Sequence, residues 1–210
     1  MDAVKNIYCV GRNYIEHVKE LKNKIPDHPV IFSKPTHALI KADGSTIHLP
    51  NDQGDVHYEV ELVIHIKERY TPDKTVEQLV DKMAIGIDLT LRDVQQKLKE
   101  QGYPWLLSKG FPNSAIITDF IPFPGLEQCT EKNFSLEIND QVVQEGNVSQ
   151  MMFSIHTLIR YIGTNLGLNH GDIIFTGTPS GVGPLKDDDR LALKWGDELL
   201  GQCTVKFQDK

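Results

Sequence analysis

Val56-His57-Tyr58-Glu59-Val60-Glu61-Leu62-Val63-Ile64-His65-Ile66 alternates strictly, with Val56, Tyr58, Val60, Leu62, Ile64 and Ile66 at every second position. His57, Glu59, Glu61, Val63 and His65 fill the positions between them. A period of two is that of a β-strand, whose successive side chains point to opposite faces of a sheet. The stretch is therefore predicted to be a strand with one face in a core and the other carrying acids.

The surrounding sequence continues in the same mode. Short β-type runs stand at Ile7–Val10 and Val30–Phe32, and Gly11–Lys24 between them carries Tyr14, Val18 and Leu21 at helical spacing. Thr75-x-x-Gln78 and Thr90-x-x-Asp93 have the form of capping boxes, opening helices predicted to run through Leu79 and Met83 and through Val94 and Leu98. Gly102 and Pro104 stop the second of these. Phe134–Ile138 and Gln141–Gln144 flank Asn139-Asp140 as a hairpin, and Ser154 caps a helix with Ile155, Leu158, Ile159 and Ile162 on one side. The last third returns to strands at Asp172–Thr176, Arg190–Lys194 and Leu199–Phe207, separated by glycine turns. Strands on either side of a few helices, without regular βαβ alternation, predict an α+β, mainly β architecture. With 210 residues and 40% apolar content, one domain over 1–210 is expected.

Composition excludes several function classes. A net charge of -7 with scattered Lys and Arg argues against a nucleic-acid partner, which needs clustered cations. Cys9, Cys129 and Cys203 are far apart and form no CxxC pair, which suits packing roles in a reducing compartment. The N-terminus has no signal-type apolar run, and no later run approaches the roughly 18 residues of a membrane span, so a cytoplasmic protein without a membrane partner is expected. The eight histidines form neither H-x-x-x-H nor a Cys/His cluster, which argues against zinc.

Glu59 and Glu61 leave the same face of their strand, with Cα atoms about 6.5 to 7 Å apart, so both carboxylates can converge on one hard divalent cation. Asp88 lies in the apolar segment Ala84–Leu89, where an unpaired carboxylate is costly to bury, and is the candidate third ligand. The alternatives are a wet strand face for the two glutamates and an electrostatic helix cap for Asp88. His17 and Glu20, at i and i+3, can form a water-activating pair or an ordinary surface pair. Lys109, in Leu107-Ser108-Lys109-Gly110-Phe111, can hold a carboxylate or oxyanion, or snorkel to the surface. Ile174–Gly183 has a phosphate-loop look, but no Gly-Lys-Ser/Thr closes it and Pro179 and Pro184 oppose a following helix. It is read as a rigid loop whose Thr178 touches a small anionic substrate.

Cys9–Tyr14, Phe32–Pro35, His57–Leu62, Asp88–Gln95, Trp105–Phe111 and Gly171–Gly183 together resemble the fumarylacetoacetate hydrolase family, in particular its short acylpyruvate hydrolase and oxaloacetate decarboxylase type. The resemblance covers almost the whole chain. It implies a mixed β-sandwich or β-roll, a homodimer or higher multiple, and Mg²⁺ or Mn²⁺ on Glu59, Glu61 and Asp88. It further implies that His17 and Glu20 activate water, that Lys109 stabilises an oxyanion, and that Gln95 and Thr178 line the substrate, with Arg12 and Lys34 at the pocket edge. Tyr58 stands where some short members have a histidine, and by alternation it faces the core. The implied activity is C–C cleavage in a small 2-oxo acid through a metal-stabilised enolate, by acylpyruvate hydrolysis or oxaloacetate decarboxylation. Tautomerisation or isomerisation of a 2-oxo acid is the alternative, with a non-catalytic metal- or ligand-binding protein behind it.

Overall fold

Alternating and β-branched runs dominate the chain, and the computed structural model, which describes residues 4–21 and 24–208, turns them into three sheets. The N-terminal half contains β1 (Ile7–Gly11), α1 (Ile15–Glu20), β2 (Val30–Lys34), β3 (Leu39–Lys41), β4 (Asp43–Pro50), β5 (Val56–Tyr58), β6 (Val60–Ile66), α2 (Val76–Leu79), β7 (Val80–Asp88), β8 (Thr90–Leu91) and α3 (Arg92–Gln101). The remainder contains α4 (Leu106–Lys109), β9 (Ala115–Ile117), β10 (Ile121–Pro122), α5 (Leu126–Cys129), β11 (Phe134–Ile138), β12 (Gln141–Gly146), α6 (Ile155–Asn165), β13 (Ile173–Phe175), β14 (Gly183–Pro184), β15 (Arg190–Trp195) and β16 (Glu198–Gln208).

The largest sheet has the order β2-β1-β13-β6-β7-β9-β3, with β10 paired to β7; a second runs β12-β11-β15-β16-β4, and a small one β14-β5-β8. β1 with β13, β3 with β9 and β16 with β4 are parallel, while the other pairs are antiparallel. The expected mainly β sandwich is what forms, without βαβ repeats. Its main core lies where Leu62, Ile64 and Ile85 of the large sheet meet Phe134, Leu136, Leu193 and Val205 of the second. A smaller cluster of Ile7, Cys9, Val63, Ala84, Ile117 and Phe175 covers part of the opposite face. All three cysteines are buried and unpaired, as expected of packing residues.

The predicted strand Val56–Ile66 is present but broken at Glu59, which separates β5 in the small sheet from β6 in the large one. Its alternation holds: Val60, Leu62, Ile64 and Ile66 enter the main core. The other face is not wet. Glu61 is 1% exposed and His65 3%, because the large sheet is covered on both sides. A second expectation also changes. Thr75 makes its capping box with Gln78, but α2 ends at Leu79 and Met83 lies in β7. The segment that follows Leu79 pairs with β6 from Val80 to Ile87, so sheet pairing overrides helical spacing there. Thr90 caps nothing; Leu91 holds the N-cap position of α3, and the Thr90 hydroxyl accepts a hydrogen bond from Lys109 instead. The hairpin turn is of the primed kind, with Asn139 and Asp140 at φ of 52° and 66°. Ser154 caps α6 as expected, accepting from Thr157 N.

Gly86 is opposite Glu61 in the β6–β7 ladder, and a Cβ there would lie 2.5 Å from Phe175 Cε1 and 2.8 Å from Val63 Cγ2. The strand can therefore carry only glycine at this point if the acids above it are to keep their places. Gly86→Ala is expected to cost about 1 to 3 kcal/mol by overpacking. At roughly 2 to 4 °C per kcal/mol for a chain of this size, a thermal melt should fall by several degrees. An unshifted melting temperature would show that the sheet yields without strain.

Candidate active site

The break at Glu59 and the end of β7 bring three acids together. Asp88 N–H donates to Glu59 O at 2.8 Å, which locks the two strand ends side by side. Glu59, Glu61 and Asp88 are all buried and offer carboxylate oxygens within 4.8 Å of one another. Five of the six oxygens have a specific neighbour. Arg92 Nη2 donates to Glu59 Oε1 at 2.6 Å, and Lys109 Nζ donates to Glu59 Oε2 at 2.8 Å, Asp88 Oδ2 at 2.7 Å and Thr90 Oγ1 at 2.6 Å. Gly177 N–H donates to Glu61 Oε2 at 2.7 Å. Lys34 Nζ lies 2.7 Å from Asp88 Oδ1, though out of hydrogen-bonding geometry.

The electrostatics follow from burial and these partners. Burial alone would raise the pKa of Glu59, but Lys109 and Arg92 outweigh it and hold the carboxyl well below the usual range. Burial, and then repulsion from Asp88, pushes Glu61 well above its ordinary value, against the opposing Gly177 N–H. Burial would lower Lys109, but Asp88 and Glu59 bring it up to about 12. A hard divalent cation suits this set. It would relieve the repulsion at Glu61 and take up Asp88 Oδ1, a buried oxygen that accepts no hydrogen bond among the described residues.

Lys109 is therefore no surface lysine; it is 2% exposed and lies 4.9 Å from the centroid of the Phe32 ring. Lys34 departs from its expected place at the pocket edge. It is buried behind the acids, donating to Leu89 O at 3.0 Å and to Lys109 O, so it holds Asp88 rather than facing the cleft. His17 on α1 is 4% exposed, with Nδ1 3.4 Å from Glu20 Oε2; positions 22 and 23 of the predicted helical stretch are outside the described residues. Glu20 in turn accepts from Gly181 N–H at 3.1 Å, which ties α1 to the glycine loop. Burial lowers the His17 pKa, outweighing the pull of Glu59 and of Glu20.

A cleft opens above the acids, lined among others by Arg12, His17, Gln95, Lys99, Trp105 and Thr178. The loop after β13 supplies Thr178 without a following helix, as expected. Gly177 has φ of 103° and packs against Asn13, where a Cβ would meet Asn13 Cβ at 2.6 Å. Asn13 is fully buried and donates to Thr176 O and Phe153 O, fixing the loop that carries the Gly177 N–H. Gln144 accepts from Val60 N–H at 2.8 Å and donates to Thr178 Oγ1 at 2.9 Å and Pro179 O at 3.0 Å. It thus joins the strand bearing the acids to the loop bearing Thr178. Sequence reasoning assigned no role to Asn13, Gln144, Arg92 or Lys99. The last two had a usable signal: Arg92, Gln95 and Lys99 stand at i, i+3 and i+7, one stripe of α3.

The pattern that describes the Fumarylacetoacetate (FAA) hydrolase C-terminal family matches residues 6–207. The chain belongs to the fumarylacetoacetate hydrolase family. Among its relatives, this family member is 40% identical over 202 residues to the oxaloacetate tautomerase YcgM of Escherichia coli K12, covering 94% of this chain and 91% of that one. It is 39% identical over 184 residues to a mitochondrial oxaloacetate decarboxylase of Dictyostelium discoideum, covering 87% of this chain and 84% of that one. Among solved structures, the fold is similar to fumarylpyruvate hydrolase from Pseudomonas aeruginosa in complex with Mn²⁺ and pyruvate. The TM-score is 0.88, with 30% identity, 98% of this chain covered and 91% of that one.

Proposed function

We propose that this member of the family is a Mg²⁺- or Mn²⁺-dependent enzyme that breaks a C–C bond in a small 2-oxo acid, by hydrolysis of an acylpyruvate or decarboxylation of oxaloacetate. The observation that carries this reading is the convergence of three buried carboxylates, two of which line the cleft. Glu59, Glu61 and Asp88 would hold the cation, which supplies a Lewis acid for the 2-oxo group and its neighbouring carboxylate. Lys109 and Arg92 keep Glu59 ionised, and Lys109 and Lys34 aim Asp88. Gln95 and Thr178 line the cleft and position substrate. In the hydrolytic reaction neutral His17, oriented by Glu20, takes the proton of the attacking water, and Lys109 faces the oxyanion that develops. Decarboxylation needs no water and hence no base. Tautomerisation of oxaloacetate is a second reading, favoured by the name of the E. coli relative, and needs only proton transfer.

The reading treats the chain as one catalytic unit working in the cytoplasm, in keeping with three buried free cysteines. A homodimer would cover the apolar patch of Tyr103, Leu106 and Leu107, the last 71% exposed. Pyruvate release from acetylpyruvate and from oxaloacetate tests the function. Purified protein in EDTA should be silent above the metal-catalysed background, and Mg²⁺ or Mn²⁺ should restore turnover of at least one. No metal-restored turnover of either would overturn the bond-cleaving reading. Retained conversion of enol to keto oxaloacetate would then select tautomerisation.

His17→Ala should separate the reactions, lowering acetylpyruvate hydrolysis by about 10²- to 10⁴-fold, the range for a general base, with a smaller effect on decarboxylation. Equal losses on both substrates would refute that division of labour. The pH dependence has a definite sign. The base works when neutral, and because burial lowers its pKa below the ordinary 6.5, hydrolysis should persist at that pH and decline only as pH falls further. An acid limb in kcat/KM centred above 6.5 would contradict the assignment.

A further inference from the structure

The β6–β7 ladder is regular from Val60 to His65 and then slips: His65 pairs with Lys82 but Ile66 pairs with Val80, which leaves Asp81 over as a bulge. A bulge re-aims the side chain it inserts. Here the Asp81 carboxylate turns onto the ring of buried His65, with Nδ1 2.6 Å from Oδ1, while Lys82 Nζ stands 3.8 Å from the other oxygen. The His65 ring packs against Phe120 at 5.5 Å and against His170 at 5.8 Å between centroids, the two imidazoles lying 89° apart. His170 is exposed in the turn before β13, and its Nδ1 lies 2.9 Å from Lys67 O. A carboxylate and a carbonyl can only accept, so each neutral imidazole carries its hydrogen on Nδ1 and its lone pair on Nε2. Neither Nε2 has a hydrogen-bond partner among the described residues.

We propose that His65 and His170, with Asp81 and the Lys67 carbonyl behind them, form a second metal site, for a transition ion of the Zn²⁺, Ni²⁺ or Cu²⁺ class. A histidine whose Nδ1–H is tied to a carboxylate or backbone carbonyl has the orientation and basicity of a metal ligand, and both members of the pair are held that way. Two imidazoles bound to one ion at about 2.0 to 2.1 Å have ring centroids roughly 5 Å apart. The observed 5.8 Å is within an ångström of that, a gap that a small rotation of the exposed His170 side chain closes. Imidazole nitrogen suits these ions as carboxylate oxygen suits Mg²⁺ and Mn²⁺, so the histidine pair and the acids divide metals by chemistry. The two sites are distinct: His65 shares a strand face with Glu61 but stands about 13 Å farther along β6. An ion at the histidines ties β6 to the turn entering β13 and binds only the folded chain. Histidine spacing in the sequence hides such a site, because its ligands meet only through strand pairing.

The probe is Cu²⁺, the most strongly bound ion of the series, added in equimolar amount to full-length protein with Mg²⁺ in excess to occupy the acids. Electron paramagnetic resonance should show nitrogen hyperfine structure from two imidazoles. In His170→Ala the pattern should fall to one nitrogen and Cu²⁺ affinity should drop roughly tenfold or more. Asp81→Asn keeps both ligands but weakens the hold on His65, so it should retain the two-nitrogen pattern and lose about 10- to 100-fold in affinity. His170 is exposed in a turn, so His170→Ala should fold, which circular dichroism checks. A wild-type spectrum without two nitrogens, or a two-nitrogen spectrum that His170→Ala leaves unchanged, overturns the site.

Discussion

Asp88→Asn is expected to abolish metal-dependent turnover while leaving the chain folded. The substitution keeps the shape of the side chain and removes its charge at the one acid that is met by two lysines, Lys34 at Oδ1 and Lys109 at Oδ2. A neutral amide is a poor ligand for a hard divalent cation beside two glutamates, and one of its two positions would present N–H groups to an ammonium. A loss of roughly three orders of magnitude or more in kcat/KM corresponds to the several kcal/mol that a Lewis-acid cation supplies. Mn²⁺ binding followed by electron paramagnetic resonance should weaken in parallel. Asp88→Ala should be equally inactive and less stable, because it also leaves a void under the cleft. Undiminished metal-dependent turnover in Asp88→Asn would remove the proposed metal site.

Lys109→Met should produce the second large effect, and on stability as much as on activity. Lys109 is the shared donor to Glu59, Asp88 and Thr90 in a site that is almost fully buried. Methionine fills a similar volume beside Phe32 but leaves two carboxylate oxygens without a donor. Breaking a buried ion pair from one side costs about 3 to 5 kcal/mol, because the remaining charge stays uncompensated. That corresponds to a fall of roughly 6 to 20 °C in melting temperature for a chain of this size. The sign of the metal effect then reverses the usual expectation for a damaged site: Mn²⁺ replaces the lost positive charge, so it should raise the melting temperature of the variant more than that of the wild type. Hydrolysis should stay depressed, since the oxyanion has lost its ammonium. A wild-type melting temperature in the absence of metal, or a metal-induced rise no larger than in the wild type, would show that Lys109 does not balance these acids.

Much of the site was legible before any coordinates. Glu59 and Glu61 share a strand face by period alone, and Asp88 stands out as a carboxylate in an apolar run. Helical spacing allowed His17 and Glu20 to pair, as a dyad or as an ordinary surface pair. What spacing left open was whether these groups meet. Glu59 and Glu61 on an exposed strand face would have been an ordinary solvated pair, and only the second cover over the large sheet turns them into a buried cluster. Local signals also failed where long-range pairing competed with them. Met83 continued a helical pattern from Thr75, yet seven of the nine residues of β7, Met83 among them, found a partner in β6. Thr90 and Asp93 had the form of a capping box, yet Thr90 was worth more as an acceptor for a buried ammonium than as a helix cap.

The sequence by itself determined the mainly β class, the acids and their faces, the hairpin at Asn139-Asp140, the cap at Ser154 and the family to which the motifs in order point. These are matters of periodicity, turn chemistry and residue type, which act over a few neighbouring positions. Tertiary structure alone decided that Lys34 lies behind Asp88, that Arg92 reaches Glu59 across 33 positions of chain, that Gly177 places an N–H on Glu61, and that Arg12 and Lys99 share the Trp105 wall. Each of these joins residues far apart in sequence, and each is enforced by the cost of burying an unmatched charge or an unpaired donor, a quantity that exists only once both faces of the sheet have been covered.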